Sequence, residues 1–520
     1  MRKKACREII RRLMKSESLS EKRVERTIKE VSKIYKLAEM PKKVEILSFC
    51  KPKERERLQS FLMKKPVRTI SGVSVITVVA KPASCPGKCL YCPDIKNVPK
   101  SYTGLEPAIQ RGIRNQFDPF LQTSDRLNQY KSTGHPSDKI EILILGGTFL
   151  ALEKRYQEWF VKRIFDALNG KKSESLEDAQ KLNETAQHRC VGLGIETRPD
   201  YCFEEHINRM LKLGATRVEI GVQSVYDNVL KKIKRGHTVK DSVKATQLAK
   251  DSALKVTMHV MPGLFVDFKK DLDQFKILFK DEKFRPDSLK IYPTLVIKGS
   301  ELYDLWKEGK YKPLTSKKGI KLISEAMKFI PKYCRVIRVQ RDVPSNRIVA
   351  GIKKSNLREL IENECERKGI KIKEIRYREV GHKIKKGIFP DADSIKLCRF
   401  DYKASGGKEI FLSFEDLKND ILIGFLRLRI PFRPFRPEID ERTALIRELH
   451  VYGPEVPIGV KRKEAWQHKG FGKKLIKEAE KISKEEFEKK KLLVISGVGV
   501  RRYYLRLGFR RDGIYVSKRI

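Results

Sequence analysis

Cys85, Cys89 and Cys92 fall within eight residues of the stretch SCPGKCLYCPD (84–94), spaced C-x3-C-x2-C. Three thiolates are one short of the four ligands of a closed structural zinc site. A zinc knuckle would need a distant fourth ligand. Thiolates also hold iron–sulfur clusters, and three of them on a cubane leave one iron without a protein ligand. An external chelate can bind that iron and accept an electron through it. Ten cysteines in 520 residues are too sparse for a disulfide scaffold. A tight group among them points to metal or redox work in a reducing compartment.

A second set lies near the other end of the chain. Gln467-His468-Lys469-Gly470-Phe471-Gly472 reads Q-x-x-G-x-G and opens the helical stretch FGKKLIKEAEKI. Successive backbone N–H groups at a helix start bind anions, and glycines let a phosphate come close. Tyr503 and Tyr504, in RRYYLRLGF, can face the same ligand or simply pack. Between the two sets, polar or glycine residues end hydrophobic runs: Gly146, Gly147 and Thr148 after EILIL, Glu196 in GIET, Gln223 in EIGVQ. His259, in MHVMPG, has the surroundings of a packed histidine.

These residues need positioning elements. VSVITVVA, EILILGG (141–147), VGLGIET (191–197), RVEIGV (217–222), KVTMHVM (255–261), SLKIYPT (288–294) and RVIRVQ (335–340) read as strands, with helical stretches between them. Repeated β-then-α units predict a parallel sheet, here a complete or partial barrel with its site at the carboxyl ends of the strands. From residue 396 the pattern changes to antiparallel strands (LCRFDYKAS, KEIFLSFE, ILIGFLRLRI, ALIRELHVYG), then a helix from Gly470 and a last strand, LLVISGV. The expected division is a basic helical region at 1–70, a barrel at 71–349, a bridge at 350–395 and a smaller α/β domain at 396–520.

The chain holds 113 Lys+Arg against 66 Asp+Glu, a net charge of +47. Residues 1–70 alone carry 22 basic and 9 acidic residues, on helices with Ile9, Ile10 and Leu13 along one face. Such a balance favours a polyanionic partner through phosphate contacts. No run approaches the length needed to span a bilayer, and the amino terminus lacks the apolar core of a secretory signal. A cytoplasmic location is expected.

C-x3-C-x2-C with an aromatic residue before the last cysteine resembles the radical S-adenosylmethionine (SAM) superfamily. Q-x-x-G-x-G with its flanking strands resembles the GNAT-type acetyltransferases, which bind acetyl-CoA. Together with KSYTGLEPAIQR (100–111), YKSTGHPSDKIEILILGGTF, RVIRVQRDVPS and RELHVYG, the chain resembles the tRNA uridine C5-acetyltransferase family, that of the catalytic subunit of Elongator, in its archaeal stand-alone form. The resemblance implies an α/β fold: a partial TIM-like radical SAM barrel, a C-terminal GNAT-like domain and a basic helical N-terminus.

It also implies roles. Cys85, Cys89 and Cys92 would hold a 4Fe-4S cluster, with Gly146, Gly147 and Glu196 beside S-adenosylmethionine. Lys290 and Tyr292 would stand at the mouth of the radical domain. Lys139, Glu448, Leu449, His450, Val451, Gly470, Phe471 and Gly472 would contact acetyl-CoA, with Tyr503 closing that site. The partner would be tRNA at its anticodon stem-loop. Homo-oligomerisation and the electron donor are left open. Family members with a further zinc site place a cysteine in the strand before REVGH. Here Tyr377 stands there, and Cys334, Cys365 and His382 form an incomplete set. Two competing readings are a histone-like protein-lysine acetyltransferase using the GNAT-like part alone and a non-catalytic RNA-binding protein.

Overall fold

A computed structural model describes residues 1–63, 70–453 and 470–520. Gln467, His468 and Lys469 of the glycine loop lie outside the described residues. Four helices come first: Arg2–Lys15, Glu21–Ile34, Lys43–Ser48 and Pro52–Leu62. Ile9, Ile10 and Leu13 of the first, Val24 and Val31 of the second, and Leu58 and Leu62 of the last pack into a core of their own. Each fully buried aliphatic side chain contributes about 1.5–3 kcal/mol, so the amphipathic pattern suffices for a small bundle with its charges outside. Gln59 ties the bundle to the next domain by donating to the Gly134 carbonyl.

Strands β1 (Ser74–Val79), β2 (Lys139–Leu145), β3 (Arg189–Thr197), β4 (Arg217–Gln223), β5 (Lys255–Val260) and β6 (Ser288–Ile291) follow, with helices between them. A two-residue strand β7 (Val296–Ile297) pairs antiparallel with β9 (Ile348–Ala350), and β8 (Arg335–Arg338) completes the main sheet. Its order is β1-β2-β3-β4-β5-β6-β8, and every neighbouring pair is parallel. This is an open half-barrel, in which each strand lies beside its predecessor. Side chains alternate between faces. On β2, Ile140, Ile142 and Ile144 are buried under the helices, whereas Glu141, Leu143 and Leu145 line the concave side.

The C-terminal domain is a second seven-stranded sheet. It contains β10 (Ile395–Ala404), β11 (Gly407–Asp416), β12 (Ile421–Ile430), β13 (Thr443–Val451), β14 (Lys491–Val494), β15 (Arg510–Asp512) and β16 (Tyr515–Arg519). The order is β10-β11-β12-β13-β14-β16-β15, antiparallel except for β13–β14. Helix Phe471–Glu485 packs across β12 and β13 with Leu475, Ile476, Ala479 and Ile482 buried. The β13–β14 ladder runs only from Thr443 to Ile446. Beyond it, a bulge opposite Arg427 and Leu428 bends β13 away. Residues 350–395 carry helices Leu357–Arg367, Ile375–Arg378 and Val380–Lys385. Arg378 reaches across to Glu415 of β11 and to Asp420 in the turn that follows it.

Buried ion pairs join the two sheets. Arg447 donates to Asp287 and to the Leu254 carbonyl. Arg429 bonds Asp251 and Glu409, and Lys250 lies 3.4 Å from Asp287 and 3.5 Å from Glu409. Burial alone would push the Asp287 carboxyl up, but Arg447, Lys250 and Arg427 outweigh it and hold it far below the usual carboxylate range. Removing one partner of such a set strands the others without compensation. Asp287→Ala is expected to lower stability by about 3–5 kcal/mol, read by urea denaturation. Because the folded carboxyl titrates below the unfolded one, its contribution is complete above about pH 4 and is lost as the pH falls further.

Candidate active site

The half-barrel and the second sheet enclose one cavity of about 460 Å³. At one end it is lined by Cys85, Cys89 and Cys92, and at the other by Glu448, His450 and Tyr452 from β13 and its continuation. Strand polarity explains this arrangement. The cysteine loop follows β1 at the carboxyl end of the parallel sheet. The second domain docks beneath the amino end, where Gly497 and Gly499 approach the backbone of Val191 and Arg189–Cys190 so closely that a side chain on either would collide.

At the upper end, Cys85 Sγ lies 3.9 Å from Thr148 Oγ1, which brings the first cysteine beside the Gly146-Gly147-Thr148 turn. Both glycines have positive φ, 151° and 72°, a region that suits glycine. A Cβ on Gly146 would come within 2.8 Å of Ala80 Cβ. Cys92 Sγ is 3.0 Å from Ser101 Oγ, and Tyr102 donates to Glu196 over 3.3 Å. The KSYTG segment thus braces the site. The Cys92 thiol hydrogen-bonds Cys89, burial opposes ionisation, and Arg235 favours it. Together they draw Cys89 down to about 5.

Several buried polar atoms around this loop have no partner among the described residues: Arg198 Nη1, Arg235 Nε and Gln223 Oε1. Orphaned donors and acceptors are costly unless a ligand satisfies them. Three convergent thiols, a glycine turn and this ring of unsatisfied groups fit a three-thiolate iron–sulfur cluster with a polar co-ligand.

The middle of the cavity is ionic. Lys290 Nζ contacts Glu219 and lies 3.1 Å from Glu196 Oε1. His259 Nε2 is 2.9 Å from Glu219, and Tyr292 packs edge-on to His259. Arg217 bridges Glu219 and Glu141. Burial works against the Lys290 charge, but Glu219, Tyr292 and Glu196 more than restore it, and its pKa is raised. Glu196, Glu219 and His259 have the spacing of a metal group, but the Lys290 ammonium occupies the position of the cation. His259 is therefore a member of this network as well as a packed side chain.

At the lower end, β13 acts as a wall with two faces. The bulge turns both Arg447 and Glu448 toward the barrel, where Glu448 pairs with Lys255 (2.7 Å) and Arg427 (2.8 Å). His450 donates to the Ser71 carbonyl over 3.0 Å. Leu449 lies on the other face, beside Gly472. A Cβ on Gly472 would come within 2.9 Å of the Tyr503 hydroxyl, so Leu449, Gly472 and Tyr503 meet at the start of helix Phe471–Glu485. Gly470 caps that helix at φ 85°, and the Phe471 ring lies 4.7 Å from that of Phe414. Val451 pairs with Gly424.

The structure thus gathers the residues expected at acetyl-CoA on both faces of β13 rather than in one patch. Lys139, the first residue of β2, pairs with Arg189 beside the docked domain and does not line the cavity. Cys365 donates to the Ser324 carbonyl, while His382 faces Glu379. Among the described residues they do not form a metal group with Cys334.

Glu141, Arg217, Glu219, Lys255 and Arg235 escaped the sequence reading. One signal was present: Arg217, Glu219 and Gln223, with Gly221 among them, share one face of β4, while Val218, Ile220 and Val222 alternate with them on the other. Gly194 on β3 leaves the space that Arg217 fills, its would-be Cβ lying 3.0 Å from the guanidinium.

A cysteine-loop half-barrel closed beneath by a splayed acetyltransferase sheet defines a two-domain radical SAM and GNAT enzyme. Family models agree segment by segment: the ELP3 N-terminal domain over residues 2–70, the radical SAM superfamily over 82–276, its C-terminal domain over 286–367 and the acetyltransferase (GNAT) family over 379–509. The tRNA uridine(34) acetyltransferase of Methanocaldococcus jannaschii is 54% identical, over 99% of this chain and 98% of its own. Elongator complex protein 3 of Schizosaccharomyces pombe is 44% identical over 100% of this chain and 98% of its own. The solved structure of Methanocaldococcus infernus Elp3, lacking its N-terminus, is 53% identical. It covers 87% of this chain and 100% of its own, with a TM-score of 0.79. The chain belongs to this family, that of the tRNA uridine(34) acetyltransferases and Elongator complex protein 3. Among the described residues, no helix is long and apolar enough to cross a membrane.

Proposed function

We propose that this chain modifies the wobble uridine of tRNA, adding an acetyl-derived two-carbon unit from acetyl-CoA to carbon 5 of the base. One observation carries the reading: a single cavity is lined by the cysteine loop at one end and by β13 at the other. A protein-lysine acetyltransferase needs a general base and no radical source, and it would have no use for the shared cavity. The names of the relatives support the choice of tRNA, and the basic helices between Arg2 and Leu62 suit its phosphate backbone.

Cys85, Cys89 and Cys92 would hold the cluster, and Gly146, Gly147 and Glu196 would lie along SAM. When bound, the pair supplies the one-electron chemistry that activates an unreactive C–H bond. Leu449, Val451, Gly470, Phe471, Gly472 and Tyr503 would hold the CoA portion, with Lys139 reaching it from the barrel's underside. Glu448 and His450 would face the acyl end from the cavity side. Lys290, fixed between two carboxylates, holds a proton and a positive charge midway between the two ends, and Tyr292 shapes the mouth above it. The division into a tRNA-gripping region (1–70), a radical domain (71–349), a bridge (350–395) and an acetyl-CoA domain (396–520) belongs to the same proposal. So do an anticodon stem-loop as the contacted part of the tRNA and a cytoplasmic setting.

The test is anaerobic incubation of reduced, iron-loaded protein with SAM, acetyl-CoA and tRNA, followed by nucleoside mass spectrometry. A C5-substituted uridine carrying two extra carbons is expected. Unmodified uridine from fully loaded protein would overturn the reading.

A further inference from the structure

Arg376 lines the shared cavity from the bridge between the two domains. It is half-buried, and its guanidinium forms no ion pair or hydrogen bond among the described residues. The carboxylates around it are already engaged. Glu374 accepts from the backbone N–H groups of Val336, Arg376 and Tyr377 over 2.9, 2.8 and 3.1 Å, and Arg358 Nη1 lies 3.4 Å from it. Glu379 accepts from Ser71 Oγ over 2.7 Å and pairs with Arg335. Burial, Arg358 and Arg335 draw the Arg376 guanidinium down to about 10, with Glu379 and Glu374 opposing them. Lys290, Arg217, Lys255 and Arg335 line the same cavity, and each of them faces a carboxylate.

A second group stands beside Arg376. His382 lines the cavity too, and its buried Nε2 has no hydrogen-bond partner among the described residues, although Glu379 Oε1 lies 3.3 Å away. Burial draws the imidazole down to about 4 against the pull of Glu379, and Arg376 adds to the fall. A neutral ring with its proton on Nε2 is a donor. Local structure fixes both residues. The Glu374 carboxylate caps the short helix Ile375–Arg378, and the Ile375 N–H donates to the Cys334 carbonyl over 2.9 Å, which ties the helix to the start of β8. In the next helix, Val380–Lys385, Gly381 presses on the Ile70 carbonyl so closely that a Cβ would come within 2.5 Å of it. His382 is thereby seated against the segment that leads into β1.

We infer that Arg376, with His382 beside it, forms an oxyanion subsite in the cavity wall. The planar fork of a guanidinium matches phosphate and carboxylate alike. Two groups of the proposed reaction have that chemistry. One is a phosphate flanking the target uridine. The other is the carboxylate of the two-carbon unit, formed when water cleaves the thioester and releases the CoA thiol and a proton. The inference rests on the proposed tRNA reaction, but its test needs neither iron nor SAM.

Dissociation constants are measured by fluorescence anisotropy for wild-type, Arg376→Gln and Arg376→Lys chains. Three anticodon stem-loops are compared: unmodified, with neutral methylphosphonates on both sides of the target uridine, and with 5-carboxymethyluridine in its place. Weaker general attraction to a basic chain affects all three alike, so the ratios between them report the subsite. If phosphate is the ligand, the wild type binds the methylphosphonate stem-loop about tenfold more weakly than the unmodified one. If carboxylate is the ligand, the wild type binds the carboxymethyl stem-loop about tenfold more tightly. In either case Arg376→Gln brings the ratio to within about twofold of unity, and Arg376→Lys, which keeps the charge but not the fork, gives an intermediate value. Ratios near unity in the wild type, or ratios unchanged in Arg376→Gln, overturn the inference alone. If Arg376→Gln has no cooperative denaturation transition, a reduced ratio in Arg376→Lys supports the inference and an unchanged one overturns it. A wild-type chain that binds none of the stem-loops overturns it together with the tRNA reading beneath it.

Discussion

Replacing Cys89 with alanine is expected to abolish uridine modification, by more than about 1,000-fold, since the uncatalysed carbon–carbon step has no other route. Cys85→Ala and Cys92→Ala are expected to do the same, because each leaves two thiolates where three are needed. The loss has a specific signature. Iron bound per chain falls with activity, while affinity for acetyl-CoA, measured by calorimetry, stays within about twofold, because the cysteine loop sits at the far end of the cavity from β13. Circular dichroism and the denaturation midpoint report on the fold. Full modification by any one of the three variants would remove the cluster from the account.

Lys290→Met should have the second largest effect, and through two routes that can be separated. Lys290 bridges Glu219 and Glu196, both lining the cavity. Without the ammonium, two carboxylates face each other, at a cost of about 3–5 kcal/mol. Pairing Lys290→Met with Glu219→Gln removes that repulsion and is expected to recover most of the denaturation midpoint. Activity should stay down by about 100-fold or more in both chains, as when a preorganised charge is taken from an active site. A double variant that regains activity along with stability would make Lys290 a structural residue only. Burial would raise the Glu219 carboxyl, but Lys290 and Arg217 hold it well below the usual range. Stability from this pairing is therefore present above the unfolded carboxylate range and fades as the solution is acidified through it.

The strands that carry these groups were legible because their apolar faces are repetitive. Ile140, Ile142 and Ile144, or Val218, Ile220 and Val222, declare a strand whatever stands between them. What stood between them was harder to weigh. Glu141, Arg217 and Lys255 look like surface charges in a one-dimensional reading, because charge is ordinarily solvated. Only closure of the sheet shows that their face is internal. The cysteine triplet and the Gly470–Gly472 turn were legible for the opposite reason: their chemistry is local and their spacing short. Arg235 falls between these cases. It stands 143 residues from Cys92, and no local pattern ties it to the triplet. The sheet order fixes that contact. The interface arginines Arg427, Arg429 and Arg447 hid in the same way, within stretches that read simply as antiparallel strands.

Those arginines carry one more implication. Asp251 and Asp287 belong to the part of the chain before residue 394, and Arg429 and Arg447 to the part after it. Neither half is self-sufficient: cut apart near residue 394, each would expose dry, like-charged or unmatched groups to water, on a surface shaped for the other. The acetyltransferase part, moved to a new host without its companion, would leave Arg429 and Arg447 short of the aspartates that now face them. A charge reversed on one shore of this seam would need an answering reversal on the opposite one to keep the pair.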